Sequence, residues 1–238
     1  MKRLSVLITF ALAAAALAYG GGGARQGAPA PPELVSFPTP DGGVVYANLY
    51  GKGERAVVLA HGGRFTKESW DEQARALARA GFRVLAIDFR GRGQSRGGAQ
   101  ARGRDDGARF DVLAAIRYLR RGGAKAVSVI GASFGGGAAA EASVEAEPGE
   151  VDRLILLAHS PVDKPERMKG RKLFVLTRGD FSGDDQTPRL PKIRDQYERA
   201  PGPKELVILD GSAHAQLIFE TGEGERLMRE ILRFLTAP

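Results

Sequence analysis

The sequence predicts an α/β fold in which helices flank a mostly parallel central sheet. Short, continuously apolar runs rich in β-branched residues recur along the chain, as expected for strands that are buried on both faces. Segments with helical periodicity separate these runs, and that alternation favours parallel strands connected by helices. Two leading strands flank turn-forming residues at 38–43, which predicts an antiparallel hairpin at one edge of the sheet.

The individual elements are predicted from these runs and from the signals that bound them. Strands are predicted at residues 34–37, 44–50, 56–60, 83–89, 126–130, 153–158, 172–177 and 205–210. Helices are predicted at residues 67–80, 105–121, 190–200 and 224–235, with a further helix that follows Ser133 and ends near residue 145. The segment at residues 159–171 is short, so we expect no sizeable cap domain.

The composition allows one sizeable domain and excludes several kinds of site. The chain has 238 residues, of which 43% are hydrophobic, and this suits a single α/β domain. Cysteine is absent, which excludes disulfides, thiolate zinc sites, a cysteine nucleophile and an acylated lipoprotein cysteine. The three histidines are far apart and none lies in an H-E-x-x-H pattern, so we expect no metal site and no cofactor.

The N-terminus is typical of a secretory signal peptide, predicted at residues 1–18. A basic start precedes an apolar run at residues 4–18, which is too short for an ordinary spanning helix and ends in an A-x-A cleavage site at Ala18. Residues 19–32 are rich in glycine and proline, which predicts a linker before a folded domain at residues 33–238. We expect an exported protein, periplasmic or extracellular, that is anchored only if the leader is retained and is otherwise not inserted in a membrane.

The pattern G-x-S-x-G lies at the junction of a predicted strand and a predicted helix, in Gly131-Ala132-Ser133-Phe134-Gly135. A serine at the apex of such a turn needs small neighbours two residues away on each side, because the backbone there nearly touches itself. The following helix would place its positive end behind Ser133, and the Phe134 N–H would point toward an oxyanion. An incidental serine in a glycine-rich turn is the alternative, since the pattern alone is common.

Further candidate side chains follow other strands, at the sheet edge where α/β proteins carry their chemistry. A serine nucleophile requires a histidine base and an acid that orients the base. His214 is the candidate base, and Asp180, three residues beyond a strand end, is the preferred acid. Asp184 in the same loop is the alternative acid, and Asp88 is expected to stabilise the turn that follows it rather than to act in catalysis.

Four motifs together resemble those of the α/β-hydrolase superfamily. Residues 61–63 are similar to its His-Gly-x oxyanion loop, residues 88–95 to its D-x-R-G-x-G-x-S turn, residues 131–135 to its nucleophile elbow, and residues 211–214 to its G-x-x-H segment. The order serine, acid, histidine is also that of the family. The resemblance covers about residues 33–235 and is closest to small lidless serine hydrolases, the dienelactone-hydrolase-like and serine-aminopeptidase-like proteins.

The resemblance implies a serine hydrolase with Ser133 as nucleophile, His214 as base and Asp180 as acid, and with the N–H groups of Phe134 and Gly63 as the oxyanion hole. We expect hydrolysis of a carboxylic ester through an acyl-enzyme. A peptidase or amidase with the same site, and a catalytically silent binding scaffold, are the alternatives. The partner is therefore expected to be a small-molecule ester or amide, and the substrate-binding side chains are left unassigned.

The remaining histidines and aromatics near these motifs receive structural roles. His61 is expected to brace the oxyanion loop, as in the family, and His159 to cap a strand end that faces the cleft rather than to contact substrate. Phe65 and Trp70 are expected to pack in the core, with an acyl pocket as the alternative.

The Arg-Gly segment at residues 90–97 raises two other functions. A dinucleotide-binding fingerprint would need glycine in place of Arg96 and a helix directly afterwards, and neither is present. A single short basic loop without interleaved aromatics is a poor RNA-binding segment, so we expect no nucleic-acid partner. A solvated, tightly turned connection is the preferred interpretation.

Overall fold

Eight strands and five α-helices alternate along the part of the chain that the structure describes. This structure is a computed structural model, and it describes residues 31–98, 107–182 and 186–238. The strands are β1 (Glu33–Pro38), β2 (Val44–Tyr50), β3 (Arg55–Ala60), β4 (Arg83–Ile87), β5 (Ala126–Ala132), β6 (Arg153–Leu157), β7 (Arg171–Thr177) and β8 (Lys204–Leu209). The helices are α1 (Asp71–Arg79), α2 (Ala108–Arg121), α3 (Phe134–Glu145), α4 (Arg189–Arg199) and α5 (Gly224–Thr236).

The strands form one sheet in the order β1-β2-β4-β3-β5-β6-β7-β8. The pairs β1–β2 and β2–β4 are antiparallel, and the pairs from β4 to β8 run parallel. The predicted fold class, a mostly parallel sheet with an antiparallel edge, is confirmed. The carboxyl ends of β3, β5, β6, β7 and β8 therefore lie side by side at one edge of the sheet.

Both faces of the sheet are buried. Val57, Val58 and Leu59 of β3 have no exposed surface, and consecutive strand residues point to opposite faces, so helices must cover both sides. Helix α5 turns Leu227, Ile231 and other apolar residues at helical spacing into this core. Each large apolar side chain contributes about 1.5–3 kcal/mol on burial, which makes the sheet a rigid platform for the loops at its edge.

The first helix begins later than predicted. Residues Lys67–Trp70 form a 3-10 turn, and α1 starts only at Asp71. The Trp70 backbone, at φ −100° and ψ 2°, is not α-helical, and its buried indole packs edge-to-face against Phe219 at 5.9 Å. Core packing of one aromatic side chain thus overrides the helical periodicity.

The Arg-Gly segment after β4 is tightly turned and largely exposed, as expected, but its first residue is buried, and for that residue the expectation was wrong. Arg90 is 1% exposed and bridges two carboxylates, with Nη1 at 2.6 Å from Asp41 Oδ2 and Nη2 at 2.8 Å from Asp111 Oδ1. The guanidinium lowers the pKa of Asp41 to about 2. This network stabilises the hairpin tip, the end of β4 and the start of α2 against one another.

The predicted leader, most of the predicted linker and the predicted Asp105–Asp106 start of the second helix lie outside the described residues. Residues 1–18 as signal peptide and export of the protein stay predictions. Across the described ranges, none of the helices is both long and apolar enough to cross a membrane.

Candidate active site

Ser133 occupies a strained turn between β5 and α3. Its backbone has φ 51° and ψ −116°, a conformation that non-glycine residues rarely adopt. A Cβ at Gly131 would lie 2.5 Å from the Gly135 carbonyl oxygen, and a Cβ at Gly135 would lie 2.4 Å from the Ala60 carbonyl oxygen. Glycine is therefore required on both sides of Ser133, and the first turn of α3 begins directly behind the hydroxyl.

His214 lies between Ser133 and Asp180. Its Nε2 is 2.8 Å from Ser133 Oγ, and its Nδ1 is 2.8 Å from Asp180 Oδ2 and 3.1 Å from Oδ1. A carboxylate only accepts, so the Nδ1–H donates to Asp180 and Nε2 accepts from the serine hydroxyl. The three side chains, which come from the ends of β5, β7 and β8, form one hydrogen-bonded series.

The acid and the base of this series differ in how deeply they are buried. The Asp180 side chain is 1% exposed, whereas the His214 side chain is 29% exposed. The Asp180 main-chain oxygen accepts from the Arg189 N–H at 2.9 Å, and Arg189 Nε lies 3.4 Å from Asp180 Oδ1. Asp184, the alternative acid, lies outside the described residues.

Asp88 and His61 lie at neighbouring strand ends but form a separate structural cluster. Asp88 is fully buried and accepts from both the main-chain N–H and the Nζ of Lys67 at 2.8 Å. His61 Nδ1–H donates to the Gly62 carbonyl at 2.8 Å, and its Nε2 accepts from the Phe89 N–H at 3.3 Å. These contacts agree with the expected roles of His61 as a brace and Asp88 as a structural residue.

An open cleft of about 600 Å³ surrounds Ser133 and His214. The predicted oxyanion residues Gly63 and Phe134 both lie in its wall. Its described lining residues are Gly62, Gly63, Arg64, Phe65, Ser133, Phe134, Ser160, Phe181, Arg189, His214, Ala215, Gln216 and Leu217. Five strand-end loops therefore meet around one serine hydroxyl.

Gln216 connects two of these loops and was missed by the sequence analysis. Its Oε1 accepts from the Gly62 N–H at 2.7 Å, and its Nε2 donates to Ser69 Oγ at 3.0 Å. The side chain is nearly fully buried, in a 3-10 helix at Ala215–Glu220 that directly follows His214. Residues 62 and 216 are far apart in the sequence and come together only when the sheet forms, so no local pattern in the sequence could indicate this contact.

The expected position of His159 at the cleft was wrong. The residue is fully buried against Phe174, and neither ring nitrogen has a hydrogen-bond partner among the described residues. Burial lowers its pKa from the ordinary 6.5 to about 4, which the nearby Gln196 amide opposes only in part. Phe65 lines the cleft, whereas Trp70 belongs to the core.

The sheet is mostly parallel, its serine lies on a strained strand-to-helix turn, and an imidazole is hydrogen-bonded to that serine. Together these features are typical of hydrolases with an α/β fold. Residues 55–219 match the family model described as alpha/beta hydrolase fold. The chain belongs to this family, and that membership supports a hydrolase.

Two curated proteins are similar to parts of the chain. A non-heme haloperoxidase from Rhodococcus erythropolis is 31% identical over 121 residues, which cover 51% of this chain and 42% of the relative. A non-heme chloroperoxidase from Streptomyces lividans is 36% identical over 105 residues, which cover 44% of this chain and 37% of the relative. The matched segments thus span less than half the length of either relative.

Solved structures show the same fold across most of the chain. An esterase from Pyrococcus furiosus superposes with a TM-score of 0.72 at 18% identity, over 86% of this chain and 91% of its own. A predicted CIB-like hydrolase from Thermoplasma acidophilum superposes with a TM-score of 0.67 at 24% identity, over 86% of this chain and 98% of its own. At these identities the likeness establishes the fold alone.

Proposed function

We propose that this protein is a serine hydrolase that cleaves a carboxylic ester through an acyl-enzyme. The observation that carries the proposal is the hydrogen-bonded series from Ser133 Oγ through His214 to the buried Asp180, with 2.8 Å at each step. Only a serine whose proton has an acceptor within reach is nucleophilic enough to attack an ester.

Each side chain has one role in the proposed reaction. His214 Nε2 takes the Ser133 proton as Oγ attacks the ester carbonyl, and then gives that proton to the departing alcohol. Asp180 keeps the imidazole in the Nδ1–H tautomer and stabilises the imidazolium that forms. Water, deprotonated by His214, then attacks the acyl-enzyme, which releases the acid and restores Ser133.

The oxyanion would be stabilised by the N–H groups of Phe134 and Gly63. The neighbouring Gly62 N–H already donates to Gln216 Oε1, so it does not serve as a donor in this scheme. Each well-placed donor stabilises the transition state by about 3–4 kcal/mol. The positive end of α3 adds to this stabilisation because it lies behind Ser133.

The test combines p-nitrophenyl esters of several chain lengths, peptide anilides and a fluorophosphonate probe. We expect the unmodified protein to hydrolyse an ester and to be labelled at Ser133, and Ser133→Ala to lose both properties, with kcat lowered about 10⁴-fold or more. Ser160→Ala is the matched control, because Ser160 lines the same cleft without contacting His214 in the hydrogen-bonded series. Labelling with turnover of anilides alone would favour a peptidase, and no labelling would favour a silent scaffold.

We also propose that the protein is exported through its predicted leader. The support is the basic start, the short apolar run and the A-x-A site before residue 19. N-terminal sequencing of the protein from separated cell fractions should find a mature chain that starts after Ala18. A chain that still begins at Met1 in the cytoplasmic fraction would contradict export.

A further inference from the structure

The described wall of the cleft carries two arginines, of which only Arg189 lies near a carboxylate, that of Asp180 at 3.4 Å. Arg64 and Arg189 line it, and no described lining residue is Asp or Glu. Asp180 is buried behind the wall, and both of its carboxylate oxygens accept from His214. A cleft with charge of one sign concentrates ligands of the opposite sign.

Arg189, in this wall, has a donor group that lacks a hydrogen-bond acceptor among the described residues. Its Nε is buried without a hydrogen-bond partner among the described residues, although Asp180 Oδ1 lies 3.4 Å away. Its side chain is only 23% exposed, and no described residue accepts a hydrogen bond from its terminal nitrogens. Its terminal nitrogens are not among the described buried atoms that lack a partner, so they face solvent at the cleft wall, where a ligand carboxylate can pair with them.

Arg64 places a second cation at the same cleft. It directly follows the Gly62–Gly63 segment, is exposed, and forms no ion pair with a described residue. Nearby Lys67 differs, because Asp88 and Glu68 both lie 2.8 Å from its Nζ. In the sheet, the β3 and β7 strands that lead to these two arginines lie on opposite sides of β5, so the cations flank Ser133.

We propose that the preferred substrate is an ester that carries a free carboxylate, which Arg64 or Arg189 binds while Ser133 attacks the ester carbonyl. This inference rests on the proposed ester hydrolysis and narrows it to a class of substrate. Guanidinium and carboxylate pair in a planar, bidentate geometry, so arginine suits this recognition better than lysine would. The two positions allow the carboxylate to lie on the acyl side or on the alcohol side of the ester.

The test compares two pairs of esters that differ in charge. Monoethyl adipate and ethyl hexanoate place the charge on the acyl side, and 4-acetoxybenzoate and 4-methylphenyl acetate place it on the alcohol side. The quantity measured is kcat/KM for the anionic ester divided by kcat/KM for the neutral one, in the unmodified protein, Arg64→Gln, Arg189→Gln and Arg79→Gln. Arg79 is the matched control, since it is exposed on α1 and does not line the cleft. Arg189→Gln could also change catalysis through the adjacent Asp180. Such a change alters kcat/KM for both esters of a pair alike, so it cancels in the ratio.

We expect the unmodified protein to favour the anionic ester of at least one pair by about tenfold, the effect of one charge-assisted contact. Arg64→Gln or Arg189→Gln should remove most of that preference, Arg79→Gln should leave it intact, and about 0.5 M salt should reduce it. Equal kcat/KM for both members of each pair, or a preference that neither cleft variant changes, would overturn this inference and leave ester hydrolysis standing. Failure to turn over any of the four esters or the p-nitrophenyl esters would overturn the proposed function and this inference with it.

Discussion

His61 and His214 use the same tautomer at the same edge of the sheet, yet their surroundings differ. Both donate through Nδ1–H, His61 to the Gly62 carbonyl and His214 to Asp180. The Nε2 of His61 accepts from the Phe89 main-chain N–H, a group that keeps its proton. The Nε2 of His214 accepts from the Ser133 hydroxyl, a proton that can be transferred.

Burial reinforces this contrast. The His61 side chain is 1% exposed, so the ring has no room for a ligand, whereas His214 is 29% exposed at the wall of the cleft. The same ring, held by the same kind of bond at Nδ1, therefore stabilises a loop in one place and can move a proton in the other. The partner of Nε2 and the exposure decide between the two roles.

The largest expected effect is the loss of activity in His214→Gln. We expect this variant to lower kcat for ester hydrolysis about 10⁴-fold, because no other described residue accepts the Ser133 proton. His61→Gln should instead lower the free energy of unfolding by about 1–3 kcal/mol through its lost buried hydrogen bonds, and lower kcat far less. Steady-state kinetics and urea unfolding of both variants measure the contrast, and similar losses of kcat in the two would contradict it.

Replacement of the acid should have the next largest effect. Asp180→Asn is expected to lower kcat about 10²–10⁴-fold, because an amide can neither hold the Nδ1–H tautomer nor stabilise the imidazolium. Asp184→Asn is the matched control in the same loop and should retain kcat within about twofold. Loss of kcat in Asp184→Asn together with its retention in Asp180→Asn would transfer the role of the acid to Asp184.

His159 extends the comparison to an imidazole whose ring nitrogens have no hydrogen-bond partner in the described part of the chain. Because burial lowers its pKa to about 4, the unfolded chain takes up the proton first as the pH falls below 6.5, and stability declines between these two values. The expected loss is roughly 2–3 kcal/mol between pH 7 and about pH 4.5. Urea unfolding of the unmodified protein and of His159→Leu at both pH values measures the loss of stability on acidification. That loss should be smaller in the variant by roughly 2–3 kcal/mol. An equal loss of stability in the two proteins would exclude His159 as its source.

The smallest expected effect concerns Gln216, which positions the oxyanion loop beside His214. Gln216→Met preserves the shape of the side chain but leaves the buried Gly62 N–H without its acceptor, so we expect kcat to fall about tenfold with a smaller change in KM. Ser69→Ala removes only the partner of Nε2 and should lower kcat by about threefold or less. An unchanged kcat in Gln216→Met, measured on the best p-nitrophenyl ester, would show that the loop keeps its position without this bond.

Local patterns predicted the fold well because each buried strand is a continuous apolar run and each helix is bounded by its own signals. They failed where a distant contact decides the local structure, as with the 3-10 turn that ends at Trp70 and the buried Arg90. The same limit applies to the site. Ser133 and His214 were predicted from motifs and Asp180 from its position after a strand, and the three lie together, while their catalytic roles stay predictions. Gln216 and Arg189 carry no motif, and only the packing of the loops makes their contacts visible.

The contact between Gly135 and the Ala60 carbonyl has a consequence for redesign of this protein. No side chain fits between them, so the backbones of the Ser133 turn and the end of β3 are in close contact. Neither can therefore be lengthened or reshaped without a change in the other. The connection after β7 differs, since it contributes the half-exposed Phe181 to the same cleft. Combinatorial libraries at Phe181, with Asp180 kept, should therefore yield new substrate preferences while the Ser133 turn and the end of β3 keep their geometry.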